Sequence, residues 1–424
     1  MHDRQAILAD LKALGTVSEM TAAAAHAHLP RAKSNAHIHL PPNFSAFESV
    51  RQAVDLAADQ GVTVLGASNY YHYGVYAEFA ALARERGIFP LFGLEVICLL
   101  DDLARQGVKV NDPGNPGKMY LCGKGITRFA PMNAAAQGLI DLIWKNDIGR
   151  TARMVDVLAR LFASHGVETG LSPEAVKQMV VRRHGSPPET VCVQERHVAQ
   201  AFQEALFARV PAPERAGVVG RILGAKPKGG PDDAVALQND LRSHLMKAGK
   251  PAFVEEALLT FDQAVRLVLE LGGIPCYPTL ADGATPICAY EEPVEKLIGT
   301  LKDAGFWCAE YIPIRNKPEV LSRYVKAVRA AGFVVTGGTE HNTLDLLPIE
   351  PTCLAGQSVP EDVKDIFWEG VCVLAAHQFL TLHGQCGYVD ACGTPNPAYS
   401  NQEERIAAFR RLGQAVMAKY FRGR

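Results

Sequence analysis

The chain has 424 residues, with 43 basic and 45 acidic side chains and a net charge of −2. So even a balance provides no field to gather nucleic acid or anionic lipid. Hydrophobic residues make up 48% and charged residues 21%, the proportions of a globular protein. The length exceeds what one ordinary core needs, so the expectation is either two domains or one α/β barrel carrying an insertion. Met1-His2-Asp3-Arg4 is polar, no apolar signal segment follows it, and no apolar run approaches the roughly 20 residues of a membrane span. Ten cysteines are scattered without CxxC spacing. They read as reduced thiols, and the expected location is the cytoplasm.

In chain order, Gln5 to Leu14 carries apolar residues at helical spacing and is closed by Gly15, and Ala22 to Ala25 extends a second short helix. His26 and His28 fall in that alanine-rich context and read as surface residues. Asn35-Ala36-His37-Ile38-His39-Leu40 is a short apolar segment in which a strand would point both imidazoles at one spot. Imidazole is the commonest metal ligand, and two side by side are half of a site. Clean alternation follows. A helix is predicted over Ser45–Gln60, a strand over Val62–Ser68, a helix over Tyr76–Arg86 and a strand over Ile88–Val96. Such alternation predicts parallel pairing, with chemistry gathered at the C-terminal ends of the strands. A turn-rich loop, Val110 to Lys118, leads into Met119-Tyr120-Leu121-Cys122-Gly123.

Residues 130–258 change character, because strand signals almost vanish. Helices are predicted over Ala134–Trp144, Arg150–Ser164, Ser172–Arg183, Glu189–Ala208, Pro213–Leu223 and Asp233–Ala248, with Pro- and Gly-rich joints between them. This is expected to be a helical insertion that caps the barrel face. Val181-Arg182-Arg183-His184 is a basic cluster without interleaved aromatics, so no nucleic acid partner is expected. Alternation resumes with a helix over Asp262–Leu271, a strand over Gly272–Pro278, a helix over Pro293–Ala304, a strand over Phe306–Ile312, a helix over Pro318–Ala331 and a last strand from Phe333. Two long helices, Glu361–Leu382 and Gln402–Phe421, close the chain, with His377 and His383 read as packing or surface residues.

Three pieces in this order resemble the PHP (polymerase and histidinol phosphatase) superfamily. They are His37-Ile38-His39, then Ser68-Asn69-Tyr70 with Gly74, then Gly87-Ile88-Phe89-Pro90-Leu91-Phe92-Gly93-Leu94-Glu95. Gly305 to Asn316 resembles the family's Gly-x-x-x-x-Glu-x-x-x-x-Arg-Asn pattern, and Gly337-Gly338-Thr339-Glu340-His341 its Gly-Gly-Ser-Asp-x-His. The resemblance covers residues 35–96 and 260–343, with a point match at His197. It departs from the family where Asn69 replaces an aspartate with His72 close by, where Tyr277 replaces a histidine with Asp282 nearby, and where His341 directly follows Glu340.

The resemblance implies a distorted TIM-like (β/α)7 barrel built from residues 35–129 and 259–357. The N-terminal helical segment would be 1–34, the helical insertion 130–258, and the C-terminal helices 358–424. It implies a metal site drawn from His37, His39, Glu95, His197, Glu340 and His341, holding one or two divalent ions (Zn, Mn or Fe). Glu95, Arg315 and His341 would serve catalysis, and Arg315, Lys118 or Arg153 would neutralise a phosphate. The implied activity is metal-dependent hydrolysis by a metal-activated water, of a phosphate ester of a small metabolite. Two alternatives stay open. One is another metal-dependent barrel activity, such as amide hydrolysis or a sugar-type lyase or isomerase step. The other is a degenerate module that binds metal or ligand without turnover. The fold alone does not decide among them.

Overall fold

The run Val62-Thr63-Val64-Leu65-Gly66-Ala67 has almost no polar face, which suits a strand covered on both sides. In the computed structural model, which describes residues 6–423, it is the second of eight strands. These are β1 (Lys33–Ile38), β2 (Val62–Ala67), β3 (Phe89–Leu99), β4 (Lys118–Lys124), β5 (Leu259–Thr260), β6 (Ile274–Thr279), β7 (Cys308–Tyr311) and β8 (Val334–Gly337). The sheet runs β1-β2-β3-β4-β6-β7-β8, and the two-residue β5 pairs beside β3. The pairings are parallel except that β4 runs antiparallel to both β3 and β6. The result is a nearly closed, distorted TIM-like barrel, as the family resemblance implied. The reversed β4 is what distorts it.

The barrel closes at one seam. Ile38 and Glu340 form a parallel bridge. The Thr339 and Glu340 N–H groups donate to the His37 carbonyl at 3.0 and 2.9 Å, and the His39 N–H donates to the Glu340 carbonyl at 2.8 Å. Gly338 is required there, since a Cβ on it would lie 2.4 Å from the Cβ of His37. The seam therefore sets the histidine pair in place.

The helix predicted from Ser45 begins instead at Val50 (Val50–Asp59). Ser49 caps it by accepting from the Gln52 N–H, while Ser45 donates its hydroxyl to the His39 carbonyl at 2.8 Å and holds residues 41–47 as a loop beside the seam. The two helices predicted between Ala134 and Ser164 are one 31-residue helix. Gly149 costs such a helix about 1 kcal/mol. The burial of Met154, Leu158 and Phe162 and the ion pairs of Arg150 outweigh that cost. These residues belong to a second apolar cluster, built with the helices Pro173–His184, Glu195–Arg209, Ala212–Leu223 and Ala234–Leu241. The larger cluster joins the barrel interior to the N-terminal helices Ala6–Lys12 and Val17–Ala24 and to the C-terminal helices Glu361–Leu382 and Gln402–Arg422. His377 packs there, with its ring nitrogens on the Gly272 carbonyl and the Tyr388 N–H. Among the described residues no helix is long and apolar enough to cross a membrane.

Candidate metal centre

His37 lies at the end of β1 and His39 two residues on, so both side chains leave the same face. Their rings meet edge to face, and their Nε2 atoms stand 3.4 Å apart. Glu95, inside β3, places its Oε2 3.3 Å from His37 Nε2 and 3.1 Å from His39 Nε2. All three side chains are buried. Ligand atoms around one small divalent ion sit about 3.0 Å apart in octahedral and about 3.3 Å apart in tetrahedral geometry, so the spacing fits. The polar bookkeeping fits too. Glu95 Oε2 faces only the two imidazole nitrogens, and His39 Nδ1 is buried with no hydrogen-bond partner. Burial alone would raise the Glu95 carboxyl, but the two histidines hold it well below the usual carboxylate range.

A second layer orients the first. His37 Nδ1 is 2.7 Å from Glu310 Oε2. With its Nδ1 proton donated to that carboxylate, His37 would be free to offer the Nε2 lone pair to an ion. The other oxygen of Glu310 accepts from Lys124 Nζ at 2.5 Å, and Lys124 also reaches the Ala36 carbonyl and Ser68 Oγ. Burial would raise the Glu310 carboxyl, yet Lys124 and His37 outweigh it and hold it low. Cys122 Sγ lies 3.6 Å from the same carboxylate, so His37, Cys122 and Glu310 form a second compact donor group that shares His37. Tyr70 donates its hydroxyl to Glu95 Oε1 and stacks on His39 at a centroid distance of 5.1 Å.

The remaining expected site residues stand outside the His37–His39–Glu95 group. Glu340 is paired with Arg315 and accepts from Asn342 Nδ2 at 2.5 Å. His341 has both ring nitrogens engaged, Nδ1 with Thr339 Oγ1 at 2.7 Å and Nε2 with the Leu347 carbonyl at 2.9 Å, and its ring stacks on Phe47. Glu340 and His341 take φ of 58° and 52°. His197 accepts from the Gln194 N–H at 3.0 Å, packs its ring edge to face against Phe44, and leaves Nε2 without a hydrogen-bond partner. Burial pulls its pKa down to about 3, so the ring is neutral.

The neighbouring candidates are also engaged. Asn69 exchanges two hydrogen bonds with the Leu40 backbone at 2.8 Å each. His72 Nδ1 accepts from the Gly74 N–H. Tyr277 donates to the buried Glu291. Asp282 accepts from Asn316 Nδ2 and the Lys317 N–H. Lys118 is paired with Glu256, and Arg153 is exposed. Sequence reasoning did not assign Glu310, Lys124, Tyr70 or Arg196 to the site. Of these, Glu310 carried a signal as the fixed glutamate of the Gly305–Asn316 pattern, and Tyr70 as the last residue of the Ser68-Asn69-Tyr70 piece.

A cavity of about 520 Å³ opens over the group. His37, Tyr70, Glu95 and Glu340 form its barrel wall, while Arg150, Glu195 and Arg196 come from the helical segment opposite. The arrangement offers two nitrogens and one oxygen to a divalent cation, at the floor of a pocket sized for a small molecule.

No family model matches the sequence, and no curated protein matches it. Solved structures do resemble the fold. A candidate metal-dependent phosphoesterase from Bifidobacterium adolescentis superposes with a TM-score of 0.53 at 16% identity, over 79% of this chain and 95% of that one. An amidohydrolase from Chromobacterium violaceum, with bound sulfate and no metal, gives 0.49 at 17% identity, over 79% of this chain and 97% of that one. What the chain shares with the first of these is the distorted barrel fold.

Proposed function

We propose that this chain is a metal-dependent hydrolase of the PHP type that cleaves a phosphate ester of a small metabolite. The observation that carries the reading is the convergence of His37 Nε2, His39 Nε2 and Glu95 Oε2 within 3.1–3.4 Å, with Glu310 behind His37. These three residues would hold one divalent ion, Zn, Mn or Fe. Such an ion, when bound, supplies a water acidic enough to ionise near neutral pH. The chain's own residues do the rest. Glu310 fixes the tautomer and tilt of His37, Tyr70 occupies one oxygen of Glu95 so that the other faces the ion, and buried walls exclude bulk water. Glu340 and His341 keep to the seam and its ion pair in this reading, and His197 braces the helical segment.

We take residues 35–129 and 259–357 as the barrel domain and 130–258 as a cap over its mouth. Ten unpaired cysteines, eight of them buried, suit a reducing compartment such as the cytoplasm. The engagement of Glu340 and Asn69 elsewhere favours a single ion, and a single ion keeps amide hydrolysis as the second reading.

The test is metal analysis followed by a substrate panel. Purified protein should carry or take up close to one equivalent of Zn, Mn or Fe, and it should release phosphate from monoesters. Fewer than about 0.2 equivalents after metal addition would remove both hydrolase readings. Full metal loading with an inert ester panel and turnover of amides would select the second.

A further inference from the structure

The cavity wall carries six cationic side chains, and five of them have a carboxylate within 4 Å. Lys118 pairs with Glu256, Arg150 with Glu195 and Glu256, Arg242 and Lys247 with Glu195, and Arg315 with Glu340. The sixth is Arg196. Among the described residues no carboxylate or hydrogen-bond acceptor meets its guanidinium, which lies 5.9 Å over the ring of Phe44. Its neighbour Glu195 is instead paired with three other cations, Arg150, Arg242 and Lys247, at 3.1, 2.9 and 2.7 Å. Burial, with repulsion from Arg242, pulls the Arg196 pKa down to about 10, while Tyr120, Glu340 and Tyr70 act from the barrel side to hold the charge. Arg196 lines the same cavity as His37, Tyr70, Glu95 and Glu340.

Arg196 is half-buried on the cavity wall, so its unpaired guanidinium can take an anion that enters the cavity. Arg196 is also the second residue of the 15-residue helix Glu195–Arg209, whose N-terminal end opens on the same cavity through Gln194, Glu195 and Arg196. Backbone N–H groups and the positive end of the helix dipole favour an oxyanion there. A guanidinium adds a planar fork that matches two phosphate oxygens.

We infer that Arg196, together with the N-terminal end of its helix, is the receptor for the substrate's phosphate group. The inference rests on the phosphoesterase reading above and adds the residue that would recognise its substrate. A cap residue, and not a barrel-strand residue, then provides recognition, and the barrel provides the ion.

The experiment measures orthophosphate binding to the full-length chain by titration calorimetry, after metal stripping and again after reconstitution. Stripped wild-type protein should bind phosphate, and Arg196→Gln should weaken binding about 10- to 100-fold at unchanged thermal midpoint. Arg196→Lys keeps the charge but loses the fork, so it should fall between the two; it also serves if the glutamine variant does not fold. His37→Ala separates the two proposals, because it removes metal but should leave phosphate binding intact. Absence of phosphate binding by the stripped wild type up to about 10 mM, a few-fold above an ordinary millimolar anion site, would overturn the assignment. Wild-type affinity in both Arg196 variants would overturn it as well, even with a metal-dependent turnover in hand.

Discussion

Glu310 joins the metal group to the barrel interior, taking His37 Nδ1 at 2.7 Å on one oxygen and Lys124 Nζ at 2.5 Å on the other. All three residues are buried, so each charge depends on its neighbour. Glu310→Gln keeps the shape and removes the charge. Lys124 is then stranded, and unfolding free energy should fall by about 3 kcal/mol in urea titrations. Metal affinity, read by competition with a chromogenic chelator, should fall about 10- to 100-fold because His37 loses its orienting carboxylate. Adding Lys124→Met should restore most of the stability and none of the affinity. Recovery of both together would mean that Glu310 acts on the metal only through folding.

The proposed ligand set is narrower than the one the family resemblance implied. His37→Ala, His39→Ala and Glu95→Ala should each abolish stoichiometric metal, measured by elemental analysis after dialysis. Glu340→Gln and His197→Phe should keep it, since those side chains answer Arg315 and Phe44. His341→Gln should keep it too, at a stability cost of about 1–2 kcal/mol for the lost hydrogen bonds to Thr339 and Leu347. Metal loss in Glu340→Gln with intact folding would put a second ion at the seam.

Tyr70 contributes through a single hydroxyl. It donates to Glu95 Oε1, and its ring lies flat on His39. Tyr70→Phe preserves the stack and frees that oxygen, so the carboxylate can swing. Metal affinity should drop about tenfold while the thermal midpoint of the metal-free protein barely moves. A variant with undiminished affinity would show that Glu95 is fixed by β3 alone.

The sequence spoke clearly where a local period carries the information. A spacing of two on a strand brought His37 and His39 together, and a strand-end glutamate brought Glu95. The alternation likewise signalled an α/β sheet, and the resemblance added the barrel. It did not reveal the direction of β4, because Met119–Lys124 follows β3 through a turn-rich loop and reads alike in either sense. Without that direction Lys124 looks like a lysine leaving a strand for solvent, when in fact it turns inward to Glu310. Spacing could not show that His341, in a left-handed backbone conformation, has its ring nitrogens on Thr339 and Leu347. His197 has the surroundings of a ligand, an imidazole in an apolar stretch, but those surroundings are a packed helix start. Arg196 could not be singled out from sequence, because its standing as the cavity wall's unpaired cation among the described residues depends on the partners of five others.

Asp147 gives a pH test away from the metal group. Its carboxyl lines the cavity. Burial pushes its pKa up to about 6; Arg150 opposes this and Glu256 adds to it. In the unfolded chain it titrates near 3.8, so the folded state holds the proton longer. Below both values the residue is neutral in either state and contributes nothing. As pH rises from about 4 to about 6 the unfolded chain gains by ionising first, and above that the penalty on folding is complete. Asp147→Asn removes the penalty. Urea unfolding should therefore find the variant more stable than wild type by about 2 kcal/mol at pH 7.5, after discounting for partial exposure, and nearly equal to it at pH 4. A gain of the same size at both pH values would trace to packing, and a loss at pH 7.5 would mean that the carboxylate is stabilised in place by Arg150.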